Sequence, residues 1–326
     1  MKRIAAICVG LAMVFMMAGC SFSLYRREAE SRNVYKDYIA AETDVSAGYA
    51  EKVAASRSSS VVSVIANALV RTNRGRASVT QIYSGIIINA EGYVLTTSHA
   101  ALLEVSDGSR VYSGEVMSAY AVLPEIYGDK QYYRLILVDY DTEAGLALFR
   151  FYDSFHYYTD ESREESKEGF QTVAEFTDRS VVPGERCVGI GNSLGNALNS
   201  DVASPGSVGE IAQTVMSGVI SDAEADTDVL KAVSFGGKEY AYLLTTVPVN
   251  VDMYGGALFD DSGYLIGLPA MKIGYESSAT GGSGYFKRIA AAYPVSLLTD
   301  YIDSVAEERK TPIPYTLASV SDGEAA

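Results

Sequence analysis

The stretch NVDMYGGALFDDSGYLIG, Asn250 to Gly267, places a tyrosine and two glycines ahead of an apolar run, a tight Asp-Ser-Gly turn and a second apolar run. Two short apolar runs around a glycine-bearing polar turn predict a β-hairpin. Similar runs surround it. RCVGIGN, AQTVMSGVIS and AYLLTTVPVN precede it, and GYLIGLPAMKIG carries it on toward a Gly/Ser loop, SSATGGSG. The last element, PVSLLTDYIDSVAEER, opens on a proline and sets Val295, Leu298, Ile302 and Val305 on one face, which predicts a helix packed on the strands.

The earlier half reads the same way. SVVSVIANALV, SVTQIYSGIIIN, YVLTTSHAALL, YYRLILVDY and GLALFRFY are β-rich runs broken by glycine and charged turns. Between the halves, DESREESKEG (Asp160 to Gly169) is a charge cluster without apolar periodicity and reads as an exposed linker. The chain is therefore expected to be all-β, in two halves at about 58–152 and 175–290.

At the amino end, MKRIAAICVGLAMVFMMAGC has a basic start, an apolar run and a small-residue end, the pattern of a secretory signal. Its apolar run is short for a membrane span, which needs about 20 residues. Met17-Ala18-Gly19-Cys20 resembles the bacterial lipobox, so Cys20 is the expected lipidation site, with an uncleaved anchor or ordinary signal cleavage as the alternatives. The expected organisation is a signal peptide at 1–19, a lipid-anchored tether at 20–50, a folded domain at 51–308 and a tail at 309–326. That places the protein outside the cytoplasm, on the outer face of a bacterial membrane.

Of three cysteines, Cys8 leaves with the leader and Cys20 would be acylated, so Cys187 has no disulfide partner and reads as a buried structural thiol. Only His99 and His156 could serve a zinc ion, and neither has a partner at ligand spacing, so no metal and no cofactor are expected. The formal charge is −15, and losing Lys2 and Arg3 with the leader takes it to −17. Nucleic acid is not an expected partner of so acidic a chain, because phosphate binding needs a positive patch.

Taken in order, AEKVAASRSSSVVSVIA, SGIIINAEGYVLTTSHA, VDYDTEAGLALFRF, VGIGNSLG, SGVIS, LTTVPVNVDMYGGALFDDSGYLIG and YFKRIAAAYPVSLL resemble the HtrA (Deg) branch of the trypsin-like serine proteases. The resemblance covers most of residues 50–308. It implies the chymotrypsin fold, two perpendicular β-barrels with the active site between them, here with a carboxy-terminal helix and no PDZ domain.

It also puts His99, in LTTSHA, at the catalytic base. The family's GNSGGPL falls on Asp252-Met253-Tyr254-Gly255-Gly256-Ala257-Leu258, which puts Tyr254 at the nucleophile and Asp252, Gly255 and Gly256 in the oxyanion loop. The aspartate of the family's DLA falls on Gly145. Hydrolysis on this fold needs a serine, a histidine, an aspartate that holds the histidine tautomer, and two backbone N–H groups for the oxyanion. Only the histidine remains.

Three repairs are open at this point. Tyr254 could act as nucleophile, although its oxygen reaches several ångströms beyond a serine's. Asp139 or Asp141 could replace the lost carboxylate. GNSLG, with Ser193, fits a nucleophile elbow, although both histidines precede it and a glycine-rich turn is the simpler reading. The resulting expectation is a membrane-anchored pseudoprotease that binds a peptide or protein at the cell envelope. The alternatives are an active serine endopeptidase with a rebuilt triad and a structural envelope protein without ligand.

Overall fold

The computed structural model describes residues 48–106, 110–123, 132–152, 157–158, 165–166, 170, 172–192, 213–225, 231–272 and 290–318. The leader, Cys20, the tether up to residue 47, His156, Ser193, the Gly/Ser loop at 277–284 and residues 319–326 lie outside the described residues.

The first half contributes β1 (Val61–Thr72), β2 (Gly75–Ile87), β3 (Tyr93–Thr97), β4 (Leu102–Ser106), β5 (Val111–Val122), β6 (Tyr132–Asp141) and β7 (Leu146–Phe151). They pair in the order β1-β2-β3-β7-β6-β5-β4, and β5 pairs back onto β1 from Ser63↔Val122 to Ala68↔Val116. Six strands thus close into a barrel, which removes the open sheet edges that would otherwise need covering. Val62, Val64, Val94, Ala121 and Phe149 fill its interior.

The acidic segment between the halves is not wholly without structure. Its residues Glu165–Ser166 (β9) pair with Tyr157–Tyr158 (β8) as a short antiparallel ladder.

The second half contributes β10 (Glu175–Thr177), β11 (Arg186–Asn192), β12 (Gln213–Ala225), β13 (Val233–Phe235), β14 (Lys238–Tyr240), β15 (Tyr242–Thr245), β16 (Ala257–Asp260), β17 (Leu265–Lys272), β18 (Ala290–Pro294) and β19 (Thr316–Ala318). The order β16-β11-β12-β15-β18-β17 closes through β16–β17 into a second six-stranded barrel. β10 and β19 extend it with parallel pairings, and β13–β14 form a separate hairpin. Cys187, Ile220, Leu243, Leu258 and Ile266 fill this barrel. Cys187 is buried beside Thr245, Sγ to Oγ1 3.2 Å, and burial pushes its thiol pKa up to about 11, as a structural cysteine requires.

A third apolar cluster joins the two halves. It takes Ile86, Leu95 and Leu146 from the first barrel, Val188, Ile190 and Phe259 from the second, and one face of α2 (Val295–Arg309). Leu298, Ile302 and Val305 are buried as the periodicity predicts, and Leu297 and Tyr301 join them. Each such side chain contributes roughly 1.5–3 kcal/mol when removed from water.

A second helix, α1 (Tyr49–Arg57), straddles the expected start of the domain at residue 51. Glu51 accepts a bond from the Gly48 N–H at its start, and Arg57 at its end pairs with Glu175 on β10, 3.0 Å. Its apolar periodicity is too weak to announce it, because it buries one side chain, Val53, in the cluster between the halves and is otherwise held by these polar ties and by Arg186 over the Tyr49 ring.

Candidate active site

His99 sits in a short 3-10 turn, Ser98–Ala100, that ends β3. Tyr254 follows a second 3-10 turn, Val251–Met253, capped by the Asn250 side chain accepting from the Met253 N–H at 3.2 Å. The two turns meet. The His99 and Tyr254 rings have centroids 6.1 Å apart, and Tyr83 on β2 flanks the histidine on its other side at 6.4 Å. His99 is exposed on one side, yet the protein packed around its ring desolvates it enough to pull its pKa below the ordinary value, against a smaller opposing effect of the Glu104 carboxylate. Burial raises the Tyr83 pKa well above the ordinary phenol value, with Glu104 and Asp252 adding to it.

The histidine lacks an orienting carboxylate among the described residues. Gly145 has φ +73°, and its carbonyl accepts the Ser98 N–H at 2.8 Å. A Cβ on Gly145 would overlap the Tyr293 hydroxyl and stand 2.8 Å from Tyr293 Cζ. Tyr293 comes from β18, is buried, and stacks on Tyr242 at 5.5 Å while sharing a hydrogen bond with it. A phenol from the second barrel therefore fills the space beside position 145.

Neither candidate repair by aspartate is realised. Asp141 accepts the N–H groups of Glu143 and Ala144, at 2.7 and 2.8 Å, and so closes the turn before β7. Asp139 faces α2, where it accepts from the Tyr301 hydroxyl at 3.3 Å and lies 3.8 Å from Arg309. Both carboxylates are committed to turn and helix docking.

The loop at 252–256 is held shut by its own bonds. The Tyr254 N–H donates to the Val251 carbonyl at 3.1 Å, and the Met253 N–H donates to the Asn250 carbonyl at 3.1 Å. The N–H that would face an oxyanion from the nucleophile position is thus used inside the turn. Asp252 is buried at 5% exposure, its carbonyl accepting from the Ser84 hydroxyl at 2.8 Å.

Ser84 is the centre of this arrangement, and nothing in its sequence pattern announces it beyond its place in YSGIIIN. Besides that bond, its oxygen accepts the Asn192 N–H at 2.8 Å, its N–H donates to the Tyr254 carbonyl at 3.0 Å, and its carbonyl accepts from Thr96 at 2.7 Å. One residue of the first barrel thereby ties down β11 and the 252–256 loop of the second. Gly255, φ +82°, passes so close that a Cβ would overlap Thr96 Oγ1 and the Ser84 carbonyl. This close approach explains a glycine directly after Tyr254 whether or not the loop does chemistry. The Tyr254 side chain, half-buried, packs against the apolar clusters of both barrels.

The model of the trypsin-like peptidase domain matches residues 83–268, more than half of the chain. The chain belongs to the trypsin-like peptidase family. No curated protein matches the sequence at a significant level. Among solved structures, this trypsin-like chain is similar to a variant of the HtrA-type protease AlgW with decapeptide, at 20% identity and a TM-score of 0.52, covering 81% of this chain and 68% of that one. It is similar to the same variant with tripeptide at 20% identity and 0.51, covering 81% and 65%. AlgW itself with tripeptide gives 21% identity and 0.50, with the same coverage. The chain spans about two thirds of the length of these structures, and the likeness is one of fold.

Proposed function

We propose that this trypsin-like protein is a membrane-anchored pseudoprotease that binds an extended peptide or protein segment at the cell envelope and does not cut it. The observation that carries the reading is Tyr254 beside His99, with the Tyr254 N–H bonded to Val251. Acyl transfer by this fold asks His99 to take a proton from a short hydroxyl while a carboxylate fixes its tautomer. Here the partner ring is a phenol packed into both barrels, and Tyr293 fills the space beside Gly145. In the family's terms, His99 keeps the base position, Tyr254 and Gly145 mark the lost serine and aspartate, and Asp252, Gly255 and Gly256 form a closed oxyanion loop.

Peptide binding is supported by the fold's likeness to HtrA-type proteases solved with a decapeptide and a tripeptide. Strand edges beside the site would hold an extended segment through main-chain bonds. Anchoring rests on the lipobox-like Met17–Cys20. A second reading, a structural envelope protein without ligand, is favoured by the packing of Tyr254 against both barrels.

The test incubates full-length protein with a fluorescent peptide library and reads polarisation and mass together. Saturable binding with every peptide recovered intact supports the proposal. Cleaved peptide contradicts it in favour of the endopeptidase, and absence of binding contradicts it in favour of the structural protein. Anchoring is read separately, from loss of detergent partitioning in Cys20→Ser.

A further inference from the structure

The tip of the β1–β2 hairpin carries RTNRGR, Arg71 to Arg76. Thr72 pairs with Gly75, so Asn73 and Arg74 form the apex, and the Thr72 hydroxyl steadies it by donating to the Gly75 carbonyl at 3.0 Å and accepting the Arg74 N–H at 3.2 Å. Arg71 and Arg76 stand directly opposite each other across the ladder. Like charges at opposed positions of an antiparallel pair destabilise it. The three arginines are exposed and make no ion pair among the described residues; the exposed Glu115 of β5, which the ladder puts opposite Leu69, stands diagonally from Arg71 and accepts from the Tyr140 hydroxyl at 2.8 Å. Glu104, on the neighbouring strand, acts on Tyr83 and His99 at the other end of the hairpin. Asp107, just before β5, lies outside the described residues.

The positive charge continues onto β5. This strand runs beside β1 beyond Ala68↔Val116, and a Cβ on Gly114 would meet Val70 Cα at 3.3 Å. The exposed Arg110 and Val111, at the start of β5, therefore come to the same end as the tip. Side chains two apart on a strand share a face. Leu69, 41% exposed, follows Arg71 on that face, and Met117, 72% exposed, stands at the β1–β5 bulge next to it. An opposed arginine pair, Arg74, Arg110 and the 64% exposed Val111 make a basic tip with one apolar side chain, while Leu69 and Met117 lie further back beside Glu115, on a chain whose net charge is −15.

We propose that the β1–β2 tip docks on an anionic phospholipid surface, with Arg71, Arg74, Arg76 and Arg110 meeting headgroup phosphates and Val111 reaching the edge of the acyl region. Charge complementarity chooses this occupant: arginine suits phosphate, and the rest of so acidic a protein is repelled by a negative surface. The exposed Val111 beside the arginines selects a bilayer over a free anion or a nucleic acid, neither of which would shelter it. The docking would orient the domain and is separate from the anchor at Cys20.

The chain has no tryptophan, so Asn73→Trp gives the full-length protein a sole indole at the apex. Its emission is read in vesicles of phosphatidylcholine alone and of phosphatidylcholine mixed with phosphatidylglycerol. The expected result is a blue shift only with phosphatidylglycerol, reversed by high salt. Adding R71E/R74E/R76E lowers the tip's bound-to-free ratio on the order of 100-fold, and Arg74→Gln alone about fivefold, at the usual strength of a basic residue near an anionic surface. Near-UV circular dichroism confirms that each variant is folded, and the Arg74→Gln form serves if the triple variant is not. Equal emission in both vesicles, or a shift that survives the arginine substitutions, overturns the proposal. So does the same shift with inorganic phosphate or duplex DNA and no vesicles. Detergent partitioning of the same protein reads the anchor, so failure of either leaves the other interpretable.

Discussion

Tyr293, from the second barrel, closes over Gly145 of the first, its phenol occupying the space into which any side chain at position 145 would grow. The phenol fills that space, so a single substitution at 145 cannot place a carboxylate there. Gly145→Ala is expected to cost about 2–4 kcal/mol, combining a left-handed backbone with an overpacked contact. In the Tyr293→Ala background the packing part should vanish, leaving a coupling of about 1 kcal/mol or more in a denaturant double-mutant cycle. Additive effects would show that the phenol does not guard this position.

Ser84→Ala removes the hydroxyl that bridges Asp252 and Asn192 and leaves the Asn192 N–H without that acceptor. Urea unfolding should show a loss of about 2–3 kcal/mol with an unchanged slope. A change under about 0.5 kcal/mol would mean the loop and β11 are held by packing alone.

His99 should titrate below 6.5, the ordinary histidine value, because the protein packed around its part-exposed ring disfavours the charged form. The sign follows. With a folded pKa below the unfolded one, protons bind the unfolded chain more readily, so this group costs no stability above the unfolded pKa. The cost appears as pH falls through the window between the two values. Proton NMR of the ring, with His156→Gln to leave a single histidine, measures the value directly. A midpoint above 6.5 would mean that a carboxylate reaches the ring after all.

Cys187 should resist alkylation in the native state, since its thiol is buried and its pKa is pushed up to about 11. Iodoacetamide labelling followed by mass spectrometry should find it modified only in denaturant. Rapid native labelling would mean that the second barrel opens readily.

Much of the architecture is legible in the residues. Strands such as Val61–Thr72 announce themselves through β-branched runs, and α2 through the spacing of Leu298, Ile302 and Val305. What escapes is structure made by contacts distant in sequence. Ala290–Pro294 closes the second barrel yet is alanine-rich and carries no alternation, so it ends as a strand only because β15 and β17 flank it. The same holds at the candidate site. The candidate positions His99, Gly145 and Tyr254 can be read from their motifs, whereas Tyr83, Ser84 and Tyr293 matter only because the fold brings them there. Asp139 and Asp141, plausible on proximity in sequence, turn out to serve α2 and the turn before β7.

On the proposed function, the site beside His99 does no acyl chemistry. The decisive measurement treats full-length protein with a fluorophosphonate probe and locates any adduct by mass spectrometry. No adduct is expected on the wild type, and none on Tyr254→Ser, because that change supplies a hydroxyl and leaves Tyr293 over Gly145 and His99 without a carboxylate, a defect worth about 10⁴-fold in an intact triad. A wild-type adduct on any serine, abolished by His99→Ala, would contradict that reading.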